Sequence, residues 1–449
     1  MRSGGLTALA ILCLSSAGAV AADAPTGAWR AGMAKADITP TRSMWLAGYA
    51  SRSAPSTGVE QPLFAKALAM EDALGHRLVI VTCDLIGIPR ELGDRVAVAA
   101  AMRHRLPRES LLLNASHTHC GPELRPEKVV VYGAPDEYAA VAAVYAARLE
   151  ATLIDLIGLA LDDLRPAALA YTHARCGFAM NRRRPTEDGI KNSPHADGEV
   201  DHDVPVLVVS SDDGSLRGLL FGYACHNTTL SFQRLCGDYA GHAQAYLEEA
   251  HAGVTALFMA GCGGDQNPYP RRTLDLARQH GRALANAVEA ALETRPRAIA
   301  GQLRSRYGEV TLDFDAPTVE EFRLRLSSPV ENERRHAERL LAEYERTGVV
   351  RQTYDYPIQV AHVGDGLVLV ALAGEAVVGY SLRLKRELAG PDVWVAGYSN
   401  DVFGYVPTLR VLREGGYEGG DAMLGTLLPG PFAPTVEERI IAKARELAK

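Results

Sequence analysis

The amino-acid sequence predicts an α/β protein whose core is a mixed β-sheet flanked by helices. Short apolar runs typical of buried strands end in Gly, Pro or polar turns. Several of them alternate with longer Ala- and Leu-rich stretches that have helical spacing. Such a chain packs its helices on the faces of a sheet, because each element has an apolar face to bury.

The predicted elements follow one another along the whole chain. Strands are predicted over 31–40, 63–70, 78–84, 111–116, 167–173, 204–210, 216–224, 254–259, 300–312, 353–363, 367–373 and 393–398. Helices are predicted over 89–104, 136–164, 237–251, 274–293, 319–346 and 436–448. The polar stretch 180–203 is predicted to be a loop, and its arginines Arg182 to Arg184 a solvated surface.

The N-terminus has the pattern of a secretory signal peptide. Arg2 precedes a short apolar run over 6–14, and Ala19-Val20-Ala21 supplies the small residues of a cleavage site. We therefore predict a signal peptide over 1–22, one domain over 30–449, and an exported protein that is periplasmic or secreted. No later stretch reaches the roughly twenty uninterrupted apolar residues of a membrane span.

Composition narrows the class of partner and the role of the cysteines. The formal net charge of −7 excludes nucleic acid as the expected partner, since phosphate binding needs a basic surface. Beyond Cys13 there are six cysteines, and both disulfides and free buried thiols are compatible with their spacing. These six are Cys83, Cys120, Cys176, Cys225, Cys236 and Cys262.

Polar residues follow four of the predicted strands. They are His117 with His119, His226, Asp265 and Glu375, each beside a Gly, Pro or polar turn. Two histidines and one glutamate from separate strand ends form a common catalytic zinc set with an open position for water. The sequence therefore predicts a zinc site at the strand ends.

The stretch His117-Thr118-His119 is central to this hypothesis. If the preceding strand continues, residues i and i+2 lie on one face, so both imidazoles face one space. The alternative is two unrelated polar residues in a loop. Asp238 and Asp265 are either carboxylates that orient a ligand imidazole or caps of turns, and both interpretations are kept.

Nine short motifs are spread along the chain. They are Lys35 to Pro40, Leu46 to Tyr49, Ser116 to Pro122, Met180 to Arg182, Cys225 to Thr228, Gly237 to Gly241, Gly264 to Pro268, Ala373 to Glu375, and Ser399 through Tyr405 to Gly419. Together they resemble the catalytic domain of the neutral/alkaline (non-lysosomal) ceramidases, from about Ala34 to about Leu424. The family hydrolyses the amide of N-acylsphingosines, so the resemblance implies a role in lipid and sphingolipid metabolism.

The resemblance also implies roles for individual residues. By motif, the ligands of one zinc ion are His117, His226, Glu375 and Tyr405. The residues implied to contact the substrate or stabilise the oxyanion are His119, Arg182 and Tyr417.

Two departures from the family pattern predict a divergent member with an altered substrate. The family's Gly-Asp-x-Ser-Pro motif carries an active-site serine, and here Asn267 stands in its place. Asparagine can donate to an oxyanion but cannot act as a hydroxyl nucleophile, so we count Asn267 among the candidate catalytic residues. The family also has a C-terminal immunoglobulin-like domain, which the printed sequence does not show.

Three functions are therefore compared. The first is a zinc-dependent amidase that cleaves an N-acyl bond in a small or lipid-like substrate. The second is a zinc esterase or lactonase for a polar or sugar-derived substrate, for which Arg182 to Arg184 and Arg271-Arg272 would bind an anionic or hydroxyl-rich ligand. The third is a non-catalytic binding protein on a zinc scaffold. The sequence leaves the acyl group, the leaving group and the oligomeric state open.

Overall fold

The computed structural model describes residues 29–125, 128–129, 133–388, 390 and 392–449. The predicted signal peptide lies outside the described residues. The strands are β1 Trp29–Asp37, β2 Phe64–Asp72, β3 Arg77–Cys83, β4 Leu111–Ala115, β5 Arg165–Arg175, β6 Ala179–Thr186, β7 Gly189–His195, β8 Asp203–Ser210, β9 Leu216–Tyr223, β10 Thr255–Ala260, β11 Gln266–Pro268, β12 Arg297–Ala298, β13 Leu303–Asp313, β14 Thr353–Val363, β15 Leu367–Leu372, β16 Glu375–Ala376, β17 Asp392–Ala396 and β18 Tyr405–Val406. The helices are α1 Arg90–His104, α2 Asp136–Asp162, α3 Asp238–Ala250, α4 Leu274–Leu292, α5 Val319–Arg325, α6 Glu331–Thr347, α7 Val378–Glu387, α8 Leu409–Glu414, α9 Gly416–Gly419 and α10 Val436–Leu447.

Two mixed sheets form the core. The larger has the strand order β10-β9-β8-β5-β1-β2-β3-β4, with β12 paired to β5, and the smaller has the order β13-β14-β15-β17. One apolar cluster joins them face to face, with Leu112 and Leu257 of the larger sheet and Leu369 and Trp394 of the smaller. The predicted α/β class with a mixed sheet is confirmed, and it is built from two packed sheets.

Helices cover the outer face of each sheet, so the molecule has four layers. On the larger sheet, α1 and α2 pack against β1 to β4, whereas α3 and α4 pack against β8 to β10. On the smaller sheet, α7 and α10 cover the outer face. Strands such as β3, β10 and β15 are therefore buried on both sides, which explains their near-continuous hydrophobic runs.

The prediction of a loop over 180–203 is wrong. The segment forms the hairpin β6–β7, and β6 also pairs with β11 in a small three-stranded sheet. Its arginine cluster is not wholly solvated either, because Arg182 and Arg183 are buried. The polar side chains of this segment bond to partners far along the chain, and the local periodicity of the sequence does not reveal such partners.

Two further observations concern the cysteines and membrane spans. The six cysteines that the structure describes are free and buried. Among the described residues, no helix combines the length and apolarity that crossing a membrane requires.

Candidate metal centre

His117 is presented by a left-handed turn that begins where β4 ends. Its φ is +61°, so the extended conformation does not continue through the His-x-His stretch, and that part of the prediction is wrong. The backbone N–H of His117 donates to the Leu85 carbonyl at 2.9 Å, and its Nδ1 contacts the Ile86 carbonyl oxygen at 2.6 Å. A carbonyl only accepts, so Nδ1 carries a proton, and the neutral form of this imidazole has its lone pair on Nε2.

His226 is oriented in the same way from the opposite side of the site. It follows β9, and its Nδ1 contacts the Gly263 carbonyl oxygen at 2.6 Å. Glycine is required there, because a Cβ on Gly263 would lie 2.7 Å from the backbone nitrogen of Cys225. Burial and then the Arg182 guanidinium lower the pKa of His226 to about 3, so its Nε2 also presents a lone pair.

Glu375 and Tyr405 reach the two imidazoles from a separate pair of strands. They are direct partners in the parallel pair β16–β18. Glu375 Oε2 lies 3.2 Å from His117 Nε2 and 3.1 Å from His226 Nε2, while Tyr405 Oη lies 3.1 Å from His226 Nε2. Gly264 makes this approach possible, because a Cβ there would lie 2.4 Å from the Glu375 carbonyl oxygen.

These donor atoms fit a zinc ion. Two imidazole nitrogens and a carboxylate oxygen converge in a buried space, and a cation shared between them would stabilise this arrangement. Ligand atoms of a tetrahedral zinc, with bonds of about 2.0–2.1 Å, lie about 3.3 Å apart. The observed separations of 3.1 and 3.2 Å agree with this value.

His119 lies beside the same donors. Its Nε2 is 3.2 Å from His117 Nε2, and the three imidazoles of His117, His119 and His226 form a buried cluster that could hold a metal ion. The ring is confined by Tyr49, at a centroid distance of 4.7 Å, and by Gly48. Gly48 has φ +91°, and a Cβ on it would lie 2.2 Å from His119 Nδ1.

Arg182 anchors the tyrosine side of the centre. Its Nη2 donates to Tyr405 Oη at 2.9 Å and its Nη1 donates to Asn267 Oδ1 at 3.2 Å. The Nε donates to Glu418 Oε1 at 2.7 Å, and the other oxygen of Glu418 accepts from Arg183 at 2.8 Å. All three nitrogens of Arg182 therefore have protein partners, so the side chain positions its neighbours.

Asn267 and Tyr417 occupy different depths of the site. Asn267 is buried and also accepts from Thr228 Oγ1 at 3.2 Å, whereas its own Nδ2 has only a 3.4 Å contact to Tyr269 Oη. Tyr417 is 46% exposed, and its ring packs 5.2 Å from that of Tyr405. Asn267 thus belongs to the wall of the centre and Tyr417 to its rim.

The family can now be stated from the sequence. A family model described as "Neutral/alkaline non-lysosomal ceramidase, N-terminal" matches residues 29–321. The chain belongs to this family.

Individual ceramidases support the same relationship. The neutral ceramidase of Pseudomonas aeruginosa is 27% identical over 289 residues, which are 60% of this chain and 41% of that protein. The chain therefore matches about two fifths of the length of this relative. The crystal structure of neutral ceramidase from Pseudomonas aeruginosa has a TM-score of 0.72 at 20% identity, over 94% of this chain and 74% of that one. The structure of a ceramidase complexed with C2 has a TM-score of 0.73 at 20% identity, over 94% of this chain and 75% of that one. These structures show that the fold is shared.

Every candidate residue of the ceramidase-like site lies in one region of the fold. The structure brings together His117, His119, Arg182, His226, Asn267, Glu375, Tyr405 and Tyr417. Which of them bind metal or substrate stays a prediction, and so does the division into a signal peptide and one domain.

Asp238 and Asp265 do not contact a ligand imidazole. Asp238 accepts from the backbone nitrogens of Leu230 and Tyr239 at 2.8 and 2.6 Å. Asp265 accepts from the backbone nitrogen of Val378 at 2.8 Å. Burial raises the pKa of each carboxyl to about 6. Both carboxylates therefore bind backbone nitrogens, as the interpretation as turn caps predicts, and the imidazoles are oriented by backbone carbonyls.

Sequence reasoning missed Glu418 and Tyr398. Glu418 is within the quoted Tyr417-Glu418-Gly419 motif, but a lone glutamate gives no sign that it bridges two buried arginines. Tyr398 packs on His117 at a centroid distance of 4.4 Å, and its hydroxyl lies 3.4 Å from His226 Nδ1. Its position at the end of a predicted strand was the available signal.

Proposed function

We propose that the chain is an exported, zinc-dependent hydrolase that cleaves an N-acyl amide bond in a lipid-like substrate. The observation that supports this proposal is the convergence of the His117, His226 and Glu375 acceptor atoms at 3.1–3.2 Å in a buried site. Membership in the ceramidase family supports an amide substrate, and the N-terminal sequence pattern supports export.

His117, His226, Glu375 and Tyr405 would hold the zinc ion. When bound, zinc polarises a carbonyl and lowers the pKa of a water molecule to about 7, which supplies a nucleophile at neutral pH. Arg182 favours the deprotonated form of Tyr405 through its hydrogen bond, against burial, which raises the pKa of the tyrosine well above its usual value.

The remaining side chains handle the substrate. The His119 ring stays neutral, because burial and then the neighbouring imidazoles hold its pKa well below the usual value, so it can exchange a hydrogen bond with a substrate oxygen. Asn267 keeps amide hydrogens for a developing oxyanion, whereas its lack of a hydroxyl leaves water as the nucleophile. Tyr417 meets the substrate at the rim.

A zinc esterase or lactonase is the second candidate. Arg272 donates to Tyr49 Oη at 3.3 Å, and the Tyr49 ring packs directly on His119. The Arg272 guanidinium therefore lies one side chain away from His119, where it would bind a polar group of an ester or lactone substrate.

Metal analysis tests the ligand set. We expect the purified protein to contain about one zinc ion per chain, His117→Ala with His226→Ala to lose it, and His173→Ala, which changes an exposed histidine, to retain it. Comparing Tyr405→Phe with His119→Gln then decides which of the two is the fourth ligand. A native protein that binds no zinc would refute the proposal.

A substrate panel tests the reaction. N-acylsphingosines, N-acyl amino acids, esters and lactones are assayed with the wild type and with Glu375→Gln. Amide cleavage that disappears in Glu375→Gln supports the first candidate, and cleavage confined to esters or lactones supports the second. Activity unchanged by Glu375→Gln would show that the centre is elsewhere.

A further inference from the structure

A large cavity has Val402 and Phe403 in its wall, two residues that pack on Gly87 and Gly374 beside the metal centre. Its volume is about 1120 Å³, and it is lined by the start of α1, by α6, and by the segments around Arg125, Tyr354, Phe403 and Leu427. It does not include any of the four candidate zinc ligands. The cavity is therefore a separate space, and the metal centre does not determine what binds in it.

The cavity wall is one residue away from the groups that build the centre. Val402 packs so closely on Gly87 that a Cβ there would lie 2.5 Å from Val402 Cβ, and the Ile86 carbonyl next to Gly87 orients His117. Phe403 lies against Gly374, at 3.3 Å from the position of a Cβ there, and Gly374 precedes Glu375. A molecule in the cavity would therefore contact side chains that pack on the residues positioning His117 and Glu375.

The charges of the cavity are unbalanced. Among the lining residues that the structure describes, six are Arg or Lys and four are Asp or Glu. Arg90 is paired with Asp401 at 3.1 Å, but the side chains of Arg346, Arg351 and Lys128 have no hydrogen bond or ion pair to any residue that the structure describes.

Two other observations on this wall agree with an anionic ligand. Among the described residues, the Arg339 side chain donates only to backbone carbonyls, those of Arg335 and Leu424. Burial and then the nearby Arg125 lower the pKa of Lys128 to about 8, although the charges of Glu123 and Glu375 oppose this shift. An anion in the cavity would add a compensating charge beside this ammonium group.

One part of the lining is apolar. It contains Val402, Phe403, Leu427 and Leu428, and Leu427 is 45% exposed. The cavity thus combines an apolar floor with unpaired cations on α6 and at residue 351, a combination suited to an amphiphile with an acidic group.

We propose that this cavity binds the anionic group of an amphiphilic acyl substrate, a carboxylate, sulfate or phosphate ester, and so selects acidic substrates over neutral ones. This inference rests on the proposed hydrolase function for the role of the bound molecule as substrate. The contacts that carry it are the unpaired Arg346, Arg351 and Lys128 beside the apolar Val402–Phe403 wall.

The first test measures binding. Calorimetry compares decyl phosphate with decyl maltoside, both below their critical micelle concentrations, on the zinc-loaded full chain. Arg346→Gln with Arg351→Gln removes two exposed side chains without described partners, so the fold should be retained, as its Tm will verify. Arg103→Gln with Arg148→Gln on α1 and α2 is a control with the same change in charge.

We expect the cavity variant to bind decyl phosphate about 10-fold more weakly or worse, since a hydrogen bond to a charged group contributes about 1.5–3 kcal/mol and 1.4 kcal/mol is tenfold in affinity. Decyl maltoside binding and the control variant should be unchanged. Equal weakening in both variants, or none in either, would mean that the arginines are only a solvated surface and would overturn the inference. Binding to phosphatidylglycerol vesicles without binding to monomeric decyl phosphate would also overturn it.

The second test measures selection. N-dodecanoyl aspartate and N-dodecanoyl ethanolamine present the same acyl chain with and without carboxylates. The cavity variant should raise the KM for the aspartate compound about 10-fold at unchanged kcat and leave the neutral compound unaffected. If neither compound is hydrolysed by any variant, the proposed function has failed for them, while the binding result still decides whether the cavity is an anion site.

Discussion

Glu418→Gln is expected to be among the most destabilising single substitutions near the centre. The Glu418 carboxylate accepts from Arg182 Nε at 2.7 Å and from Arg183 Nη1 at 2.8 Å, and the three side chains are 1, 5 and 2% exposed. Glutamine keeps one acceptor and turns an N–H₂ donor toward a guanidinium. Removing one partner of a buried charge network costs about 3–5 kcal/mol, because the remaining charges stay buried.

This magnitude can be converted into a melting temperature. An unfolding entropy of about 2.1 cal/mol/K per residue amounts to about 0.9 kcal/mol/K for 449 residues, if the chain unfolds in one transition. The Tm should therefore fall by about 3–5 °C at pH 7.5, measured by circular dichroism or calorimetry. Arg182 would also lose its anchor, so kcat should decrease while zinc is retained.

Glu199→Gln is the matched control. It removes a carboxylate that pairs with Arg410 at 2.8 Å, but these side chains are 53 and 50% exposed, and such pairs contribute only about 0–1 kcal/mol. Equal Tm values for the two variants would refute the argument.

The pH dependence of Glu418 has a defined sign. Burial by itself raises the pKa of Glu418, but the charges of Arg182 and then Arg183 more than offset this and leave the pKa below its usual value. The ionised group therefore stabilises the fold above the unfolded pKa of about 4.3, and this contribution is lost as the pH falls through the folded pKa. The Tm difference between wild type and Glu418→Gln should narrow in that acidic range.

Three further outcomes are expected. Gly48→Ala places a Cβ 2.2 Å from His119 Nδ1 at a left-handed φ, so kcat/KM should fall at least about 10-fold, and unchanged kinetics would exclude a role for the His119 position. Asp265→Asn removes a carboxyl whose pKa burial raises to about 6. The folded protein binds this proton at a higher pH than the unfolded chain does, so protonation stabilises the fold. As the pH falls from about 7 to about 4, the free energy of unfolding of the wild type should therefore rise by up to about 3 kcal/mol relative to the variant, as measured by Tm against pH. Asn267→Leu leaves a hydrogen of Arg182 without its acceptor, so the free energy of unfolding should fall by about 1–3 kcal/mol in a urea titration, and a smaller change would mean that water replaces the amide.

Much of the secondary structure could be predicted from the sequence, because it depends on short-range patterns. The apolar run before His117 is β4, and the long Ala- and Leu-rich run is α2. The hairpin β6–β7 could not be predicted in this way, since its polar strand is stabilised by β11 and by Glu418, which lie about 85 and 235 residues further along the chain.

The chemical types at the centre were likewise determined by the sequence alone: imidazoles at 117 and 226, a carboxylate at 375 and a phenol at 405, each after or within a strand. Only the tertiary structure decided their geometry. The left-handed turn at His117 and the carbonyls of Ile86 and Gly263 orient the rings. Every residue carries a backbone carbonyl, so the sequence does not identify the carbonyl that accepts a hydrogen bond from an imidazole. That carbonyl is determined only by how the strands pack together.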